Sequence, residues 1–527
     1  MAEPQSLGAL FPSSLLAALA ASPDSPAFEV GSRVISRGEL LQLIRRLVLA
    51  LRAQGFAPRR GLAIYTSVSP QAFALQMAAH VLGCRVVGIR PGYTTRQLAH
   101  VLAMDVAAVV VDSTTATPDL FAATGAMPIL SLGAVDGAVD LLLSVEDATA
   151  LDVLANPDDV AALFFTSGST GQPKGCAMTY RALSCHWAWK GPSAWSPFAR
   201  QLAAASRRHL VFGTLASLVV MEFLAPCLLG GGTAVIPEPD ARPLFPNAIA
   251  RYGITSSIIT VPRLYQMLDS LSVESVDVSS LRALMVSGSP LSARRLASAV
   301  ERLGPVLCQG YGQTEAGSIS MLTWDDLTHG PLEVFGSVGR PHPAVELRVL
   351  DEQGKPVPLG EVGELYVRSP YAMTGYWGMP EETQDTLRDG WVRTRDLARI
   401  DAGGYLYLVG RTRDVILVNA LVVYAGAIER VLAAHPDVDQ AYVTGAPDAH
   451  TGEAIHAFVV PAMGRTPDLA GLCGLIRNEL GADFVPKTIT TIASAPVAAS
   501  GKPDKRALLT QHGVSVLSDQ RSRSRAE

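Results

Sequence analysis

The chain carries, at residues 164–175, the stretch Phe-Phe-Thr-Ser-Gly-Ser-Thr-Gly-Gln-Pro-Lys-Gly. The apolar residues 160–165 that lead into it are typical of a buried strand. Glycines let backbone N–H groups approach an anion closely, hydroxyls add further donors, and Lys174 adds a positive charge. The alternative is an ordinary turn, because glycine, serine, threonine and proline are all turn residues. The density of donors favours a loop that holds a polyphosphate.

This loop differs from a Walker A motif, which has the pattern Gly-x-x-x-x-Gly-Lys-Ser/Thr and opens a helix. Here Pro173 precedes the lysine, and the apolar residues 176–178 follow it. The loop therefore belongs to a different class of phosphate-binding loop.

Length and composition exclude several classes of protein. A chain of 527 residues exceeds a single hydrophobic core, so two or more domains are expected. A net charge of −5, without a basic block before the C-terminal tail, argues against nucleic acid as a partner. No apolar run reaches the roughly 18 residues of a membrane span. Residues 1–10 contain Glu3 and no basic residue, unlike a secretory signal.

The six cysteines lie far apart and lack C-x-x-C spacing. They are typical of reduced, mostly buried thiols rather than of a metal cluster. We therefore expect a cytoplasmic protein.

The N-terminal part alternates short apolar segments with helical patterns. Strands are predicted at 61–65, 84–89, 106–111, 233–236 and 254–260, and residues 40–51 have helical spacing. This alternation predicts layered α/β structure with buried parallel sheet. Residues 345–377 alternate strands with turns, which predicts a small β-barrel.

The organisation changes near residue 411. Helices are predicted at 425–434 and 469–480, and strands at 457–461 and 488–493. The predicted fold class is thus α/β: a large N-terminal domain of two layered α/β subdomains plus a small β-barrel, with a small mobile α+β C-terminal domain. The predicted boundaries are 1–411 for the large domain, 412–510 for the small domain and 511–527 for a disordered tail.

Four further motifs follow the loop in order. They are Ser287-Gly-Ser-Pro290, Gln309-Gly-Tyr-Gly-Gln-Thr-Glu-Ala-Gly317, Asp389-Gly-Trp-Val-Arg-Thr-Arg-Asp396 with a downstream Gly410-Arg411, and Gly501-Lys502. Taken alone, each also fits a structural turn or a solvated loop, and the glycine spacing of the second is a poor dinucleotide signal. In this order they resemble the motifs of the adenylate-forming superfamily, which includes acyl-CoA synthetases, peptide-synthetase adenylation domains and luciferases. The resemblance covers residues from about 30 to 508.

The resemblance implies a role for each motif. Tyr311 would stack on adenine, Asp396 would bind the ribose hydroxyls, and Lys502 would bridge the substrate carboxylate and the α-phosphate. The implied ATP- and AMP-binding residues are Thr166, Ser167, Gly168, Ser169, Thr170, Gly171, Lys174, Gly288, Ser289, Gly310, Tyr311, Gly312, Thr314, Asp396, Arg411 and Lys502. The implied catalytic residues are Lys502, Thr166 and Glu315, and the last two would hold Mg²⁺.

The implied reaction has two steps. A carboxylate attacks the α-phosphate of ATP with Mg²⁺ present, pyrophosphate leaves, and an acyl-adenylate remains. The small domain then rotates about a hinge, here Arg413, and coenzyme A accepts the acyl group. The resemblance thus implies ATP, Mg²⁺ and coenzyme A as cofactors, and an AMP-forming acid–thiol ligase.

The sequence departs from the family pattern at two places. Arg395 stands where relatives have the glycine before the ribose-binding aspartate, which would crowd that loop. After the hinge, Asn419-Ala420 replaces a pair of glycines, and a lysine, an acidic residue and a proline are also lost. Because glycine accepts φ > 0, this loss predicts weak transfer to coenzyme A. The alternatives are an adenylate-only ligase that hands the acyl group to a separate partner or carrier protein, and a non-catalytic nucleotide- or acyl-binding protein. A luciferase-type activity also shares the first step.

The residues around the predicted acyl pocket favour a hydrophobic acid. Residues 209–221 contain no acidic side chain that would pair with an amino-acid ammonium, and Glu222 is expected to face elsewhere. Terpenoid, aryl and fatty acids all remain open. The altered hinge loop is also similar to that of diterpenoid acyl-CoA synthetases of platensimycin-type pathways, although no single motif carries this likeness. The predicted pocket residues, each of which also fits plain core, are Trp187, Phe212, Leu215, Leu218, Gly310 and Gly317.

Overall fold

The structure of the protein is a computed structural model. It describes residues 9–143, 151–167, 172–289, 291–412, 414–419, 421–448, 450–497 and 503–514. For Ser167 and Val422 it describes the backbone only.

Twenty-six strands lie within the described residues. In chain order they are β1 (Pro26–Val30), β2 (Arg33–Ser36), β3 (Gly61–Tyr65), β4 (Arg85–Gly88), β5 (Val106–Val111), β6 (Ile129–Ser131), β7 (Val139–Asp140), β8 (Val160–Ser167), β9 (Pro173–Thr179), β10 (Arg208–Leu210), β11 (Thr233–Ile236), β12 (Ser256–Thr260), β13 (Ala283–Ser287), β14 (Leu307–Gln313), β15 (Gly317–Leu322), β16 (Arg340–Pro341), β17 (Glu346–Leu350), β18 (Gly363–Arg368), β19 (Leu387–Arg388), β20 (Trp391–Ile400), β21 (Leu406–Arg411), β22 (Val415–Val418), β23 (Leu421–Tyr424), β24 (Val438–Asp448), β25 (Gly452–Pro461) and β26 (Thr488–Thr491).

The α-helices follow the same order. They are α1 (Ser13–Ala20), α2 (Arg37–Ala53), α3 (Pro70–Val81), α4 (Thr95–Leu102), α5 (Pro118–Thr124), α6 (Tyr180–Cys185), α7 (Pro197–Ala205), α8 (Leu218–Leu229), α9 (Leu244–Tyr252), α10 (Val261–Val273), α11 (Ala293–Leu303), α12 (Trp324–His329), α13 (Pro380–Thr386), α14 (Ala425–Ala434), α15 (Leu469–Leu480) and α16 (Lys505–Gln511).

The first sheet carries the predicted phosphate-binding loop between two of its strands. Its order is β7-β6-β5-β3-β4-β8-β9. All neighbouring strands are parallel except β8 and β9, which pair antiparallel. The predicted strands at 61–65 and 106–111 have these same bounds in the structure. Such strands are buried on both faces and therefore form continuous apolar runs in the sequence.

The second sheet has the order β16-β15-β14-β13-β12-β10-β11-β1-β2. Its central strands are parallel, and β14 turns back into β15 as an antiparallel hairpin. Helix α8 packs against β10, β11 and β12. The β14–β15 hairpin thus stands at one side of the layer that α8 covers.

Helix α2 shows how local sequence sets an element's bounds. Ser36 accepts a hydrogen bond from the backbone N–H of Glu39, and the Glu39 side chain accepts one from the backbone of Ser36. This capping box satisfies two of the free N–H groups at the helix start. Leu40, Ile44 and Leu51, which share one helical face, are fully buried.

The third sheet is antiparallel and corresponds to the predicted β-barrel. Its order is β17-β18-β20-β19, with β21 also paired to β20. Among the described residues, the strand pairs do not close into a ring, so this unit is an open five-stranded sheet. It also extends to residue 411, beyond the predicted end at 377.

The fourth sheet lies in the C-terminal part of the chain. Its order is β23-β22-β25-β24, and β26 pairs in parallel with β25. Helix α14 packs on β24 and β25, and α15 packs on α14; both helices have the predicted bounds, 425–434 and 469–480. A separate hydrophobic cluster that includes Ile428, Val443 and Ile476 forms its core.

All six cysteines are free, and four of them are buried, as predicted. None of the helices in the described ranges has the length and apolarity to cross a bilayer.

Candidate active site

The β8–β9 hairpin brings the two ends of the phosphate-binding loop together. Thr166 pairs with Lys174, and Ser167 pairs with Pro173. The loop residues Gly168, Ser169, Thr170 and Gly171 lie outside the described residues. The Lys174 side chain is only 19% exposed, and its Nζ lies 5.4 Å from the centre of the Tyr376 ring. The lysine is therefore held at the base of the loop by cation–π packing.

Tyr376 links this lysine to Glu315. Its hydroxyl donates a hydrogen bond of 2.8 Å to Glu315 Oε1. Burial, followed by the nearby Glu315 carboxylate, raises the pKa of Tyr376 far above its ordinary value, so the phenol stays protonated and remains a donor. We call Glu315, Tyr376 and Lys174 together the Glu315 site.

The Glu315 site offers one carboxylate to a divalent cation. No group of three or more histidine, cysteine, aspartate or glutamate side chains within the described ranges is arranged to hold a metal. Mg²⁺ is usually bound by one or two carboxylates plus the phosphates of a substrate. Glu315 and the hydroxyl of Thr166 are oxygen donors of the kind that Mg²⁺ prefers, and their role as its ligands stays a prediction.

Asp396 is the centre of a second network. Its side chain is 4% exposed, and Arg411 Nε donates to its Oδ1 at 2.7 Å. The Tyr311 hydroxyl donates to Oδ2 at 2.5 Å, and Gln313 Nε2 donates to the same oxygen at 2.6 Å. We call these four residues the Asp396 network. The carboxylate is thus fixed at the join of β20, β21 and the β14–β15 hairpin.

Gln313 is a site residue that the sequence alone does not single out. It occupies the variable position of the Tyr-Gly-x-Thr-Glu motif, so the motif itself gives no reason to choose it. Its amide also donates to the carbonyl of Thr394 at 3.0 Å. Only the spatial approach of β14 to β20 reveals this role.

Arg395, the residue in place of a family glycine, has φ = +60°. This is the left-handed region, which explains why glycine suits the position. Its side chain turns to Asp385, at 2.5 Å, and leaves the Asp396–Arg411 pair intact. The expectation that Arg395 crowds the loop without removing the ribose contact of Asp396 stays a prediction.

The remaining predicted nucleotide-binding residues lie at strand ends. Gly288, with φ = +98°, and Ser289 follow β13. Gly310 and Gly312 are in β14, and Thr314 follows that strand half-buried. A Cβ atom at Gly312 would lie 2.5 Å from the carbonyl oxygen of Gly317, so the hairpin requires glycine there.

The predicted acyl pocket contains a buried carboxyl group that was not expected there. Glu222 is 2% exposed, and Trp187 Nε1 donates to its Oε1 at 2.6 Å. The Ser318 hydroxyl donates to the same oxygen. Since Trp187 is one of the predicted pocket residues, the expectation that Glu222 faces elsewhere is wrong. Helix α8 is apolar all round and buried, so its single charged residue is buried with it.

Aromatic and imidazole rings surround this carboxyl. The Trp187 and His342 rings stack at 5.6 Å with 12° between their planes, and the His186 and Tyr371 ring centres are 4.8 Å apart. His186 Nε2 lies 3.9 Å from Glu222 Oε1. We call Glu222, Trp187, His186, Ser318, His342 and Tyr371 together the Glu222 cluster.

Burial sets the protonation of the Glu222 cluster. It lowers the pKa of His186 to about 3 and of His342 to about 4, so both imidazoles are neutral near pH 7. It raises the pKa of Glu222 to about 7, while the hydrogen bonds from Ser318 and Trp187 act in the opposite direction.

The other predicted pocket residues occupy different places. Gly317 packs against Tyr371, because a Cβ on it would lie 2.7 Å from Tyr371 Cδ2. Phe212 packs edge-to-face on Phe245 at 5.2 Å. Leu215 and Leu218 line a cavity of about 30 Å³ that Phe11 and Trp189 also line, too small for an acyl chain.

The loop after the hinge shows a positive φ at a replaced glycine. Asn419 has φ = +51°, in the left-handed region that asparagine tolerates. The hinge Arg413, Ala420 and the predicted catalytic Lys502 lie outside the described residues.

Comparisons with known proteins agree with this geometry. The AMP-binding enzyme family matches residues 15–377, and the AMP-binding enzyme C-terminal domain matches residues 427–502. A medium/long-chain-fatty-acid–CoA ligase, FadD8, of Mycobacterium tuberculosis is 30% identical over 94% of this chain and 88% of its own. A feruloyl-CoA synthase of an Amycolatopsis species is 32% identical over 91% of this chain and 94% of its own. The solved structure of the amide bond synthetase McbA from Marinactinospora thermotolerans is 35% identical, with a TM-score of 0.83, and covers 95% of this chain and 100% of its own.

The chain therefore belongs to the AMP-binding enzyme family, the adenylate-forming superfamily that the motif order predicted. The prediction of an α/β fold with a large N-terminal and a small C-terminal domain is confirmed. The relatives' names also agree with the predicted enzyme class, an AMP-forming acid–thiol ligase. The domain boundaries and the roles of the individual site residues stay predictions.

Proposed function

We propose that the protein activates a hydrophobic carboxylic acid with ATP and then transfers the acyl group to coenzyme A. In the first step a carboxylate oxygen bonds to the α-phosphorus, and the bond to the pyrophosphate oxygen breaks. In the second step the thiol sulfur bonds to the acyl carbon, loses its proton, and AMP leaves. Mg²⁺, when bound, supplies positive charge at the phosphates, and Glu315 with Thr166 would hold it.

One observation carries this proposal: the Glu315 site and the Asp396 network share the β14–β15 hairpin. Tyr311 lies on β14, and Glu315 lies in the turn after it, so a ribose at Asp396 would leave the phosphates near Glu315 and Lys174. A carboxylate suits two ribose hydroxyls, and a lysine at a glycine-rich loop suits phosphate.

An amine is a second candidate for the acyl acceptor. McbA is an amide bond synthetase by name and shares 35% identity with this chain. Asn419-Ala420 replaces the glycines that accompany transfer to coenzyme A in the resembling family. Both observations favour an acceptor other than a thiol, supplied either as a free amine or through a partner or carrier protein.

Pyrophosphate release across a panel of aryl, fatty and terpenoid acids tests the first step. We expect release with at least one acid class, and thioester or amide formation when coenzyme A or an amine is added. Fast pyrophosphate release with slow thioester formation would support the second candidate, whereas equally fast rates would remove it. No release with any acid would refute the adenylation itself.

Lys502 provides the matched variant for the first step. A preorganised cation that stabilises developing charge is worth roughly 10²-fold or more in rate. We therefore expect Lys502→Ala to slow adenylate formation by at least about 10²-fold, while Lys505→Ala, which removes an ion pair to Glu429, serves as the control. Wild-type pyrophosphate release in Lys502→Ala would remove Lys502 from the mechanism and favour a different cation.

A further inference from the structure

Three buried polar atoms in the Glu222 cluster have no hydrogen-bond partner among the described residues. They are His186 Nε2, His342 Nε2 and the Tyr371 hydroxyl. Their side chains are 2%, 7% and 3% exposed, respectively. Trp187 and Ser318 both donate to Oε1 of Glu222. Buried polar groups are normally satisfied, so these atoms are available to bond a polar group that enters the cluster.

The cluster adjoins the candidate reaction centre. Ser318 lies opposite Gly312 in the β14–β15 hairpin, one pair from Tyr311 of the Asp396 network. Tyr371 packs on Gly317, and two residues later the backbone N–H of Met373 donates to the carbonyl of Glu315 at 2.9 Å. An acid whose carboxylate lies at Glu315 would therefore extend its far end toward Glu222.

The chemistry of the cluster fits one kind of occupant. Glu222 offers an acceptor, whereas His186 Nδ1 already accepts from the backbone N–H of Ala188 at 3.4 Å, so the Nε2 of this neutral imidazole is left as a donor. The Trp187, His342 and Phe223 rings supply flat apolar walls, with Phe223 5.8 Å from Trp187. A fatty chain would leave the polar atoms without partners in an apolar surrounding, which is costly. A flat ring that carries a hydrogen-bond donor satisfies both features.

We propose that Glu222 is a specificity-determining residue and that the acid is aromatic, with an N–H or O–H donor at the end remote from its carboxylate. This inference rests on the proposed adenylation and names the substrate class for the same site. The donor bonds to Glu222, and the ring lies among Trp187, His342 and Tyr371.

Matched pairs of acids test the inference. One pair is 4-hydroxycinnamate and 4-methoxycinnamate, and a second is indole-3-acetate and its N-methyl derivative. In each pair a methyl group replaces the donor hydrogen of the first acid. A site built around a substrate donor rejects the analogue without it strongly, so we expect kcat/KM for pyrophosphate release to favour the donor acid by at least about 100-fold in one pair.

Variants of Glu222 locate the effect. We expect Glu222→Leu to bring the ratio of the two kcat/KM values, donor acid over methylated acid, close to one. The main cause would be a lower kcat/KM for the donor acid. Glu222→Gln keeps the shape and one acceptor oxygen but replaces the other oxygen by an NH₂ donor, so the ratio should fall roughly fivefold. Glu301→Gln, on the exposed face of α11, is the matched control and should leave the ratio unchanged.

The outcomes separate this inference from the proposed function. Pyrophosphate release that is equal for both members of every pair, or confined to aliphatic acids, overturns the inference and leaves adenylation standing. No release with any acid overturns adenylation itself. If Glu222→Leu does not fold, Glu222→Gln is the deciding variant. An unchanged ratio in that variant would show that Glu222 bonds only to structural partners or buried water, and would overturn its role in specificity.

Discussion

Three side chains donate hydrogen bonds to the buried carboxylate of Asp396. The strength of these bonds depends on the charge of the carboxylate more than on its size. Replacement by asparagine keeps the shape but weakens the bonds to Arg411 and Tyr311 and the proposed bonds to the ribose hydroxyls. Hydrogen bonds to a charged group contribute about 1.5–3 kcal/mol each. We expect Asp396→Asn to raise the KM for ATP by roughly 10–100-fold in pyrophosphate-release assays.

A surface carboxylate provides the comparison for Asp396. Asp240 forms an ion pair with Arg242 outside the candidate site, so Asp240→Asn should keep the wild-type KM for ATP. An Asp396→Asn enzyme with the same KM as this control would contradict the ribose-binding role.

Glu222 makes stability depend on pH in an uncommon direction. Burial raises its pKa from the ordinary 4.5 to about 7. Between these values the folded chain holds a proton that the unfolded chain has lost, so Glu222 lowers the free energy of unfolding as pH rises. Glu222→Gln should therefore become more stable relative to wild type across this window, by on the order of 3 kcal/mol.

Denaturant unfolding of both proteins from pH 4.5 to 8 measures this difference. Burial lowers the pKa values of the two histidines in the same cluster, so below about pH 6.5 they make the free energy of unfolding rise with pH. Both proteins contain these histidines, so their contribution cancels in the difference. A difference that stays flat with pH would show that the carboxyl is not held protonated.

The loop after β22 offers a test of backbone strain. Asn419 adopts φ = +51°, where alanine is strained by about 1 kcal/mol and glycine is not. We expect Asn419→Ala to lower the free energy of unfolding of the small domain by about 1 kcal/mol, and Asn419→Gly to change it by less than about half of that. Calorimetry of both variants checks this, and equal stability of the two would argue against strain at this position.

The elements that are best predicted from the sequence are those with a local signal. Strands β3, β5 and β11, and helices α14 and α15, have the predicted bounds because their apolar periodicity is complete within each segment. The β-barrel is different: alternation identifies strands, but closure depends on which distant edges pair. Within the part of the chain that the structure describes these edges do not pair, and the sheet continues through β20 and β21.

The residues of the candidate site also divide into those that the sequence predicts and those that it does not. Glu315, Asp396, Arg411 and Lys174 follow from motifs, and the structure brings their neighbours together. Glu222 does not follow, because an acid within an apolar segment is normally expected to face outward. A signal is nevertheless present: the helix has no polar face, so no outward direction exists for its single charge.

An ion pair joins helix α11 of the N-terminal part of the chain to strand β24 of the C-terminal part. Arg295 on α11 donates to Asp439 of β24, which is 6% exposed, and Arg294 donates to the carbonyl of Val438. Arg295 also stacks over Tyr265 at 4.8 Å. Because Asp439 is buried, its loss of a partner would leave an uncompensated charge.

We expect Arg295→Ala to increase hydrogen exchange in β24 and to destabilise the protein by about 1.5–3 kcal/mol. Arg302→Ala is the control, since Arg302 lies on the same helix but contacts Ser272 and Leu271 within the large domain. Equal protection of β24 in both variants would mean that this contact does not hold the small domain.

The β14–β15 hairpin, finally, would make the two proposed recognition events depend on one another. Its first strand carries Tyr311, which bonds to Asp396, and its second carries Ser318, which bonds to Glu222. A nucleotide that orders one arm restrains the other through their shared backbone ladder. Coupling of this kind is reciprocal. The acid should therefore raise the affinity for the nucleotide by the same factor by which the nucleotide raises the affinity for the acid. Selectivity for the acid would then be sharpest in the ternary complex, and weakest when either ligand binds alone.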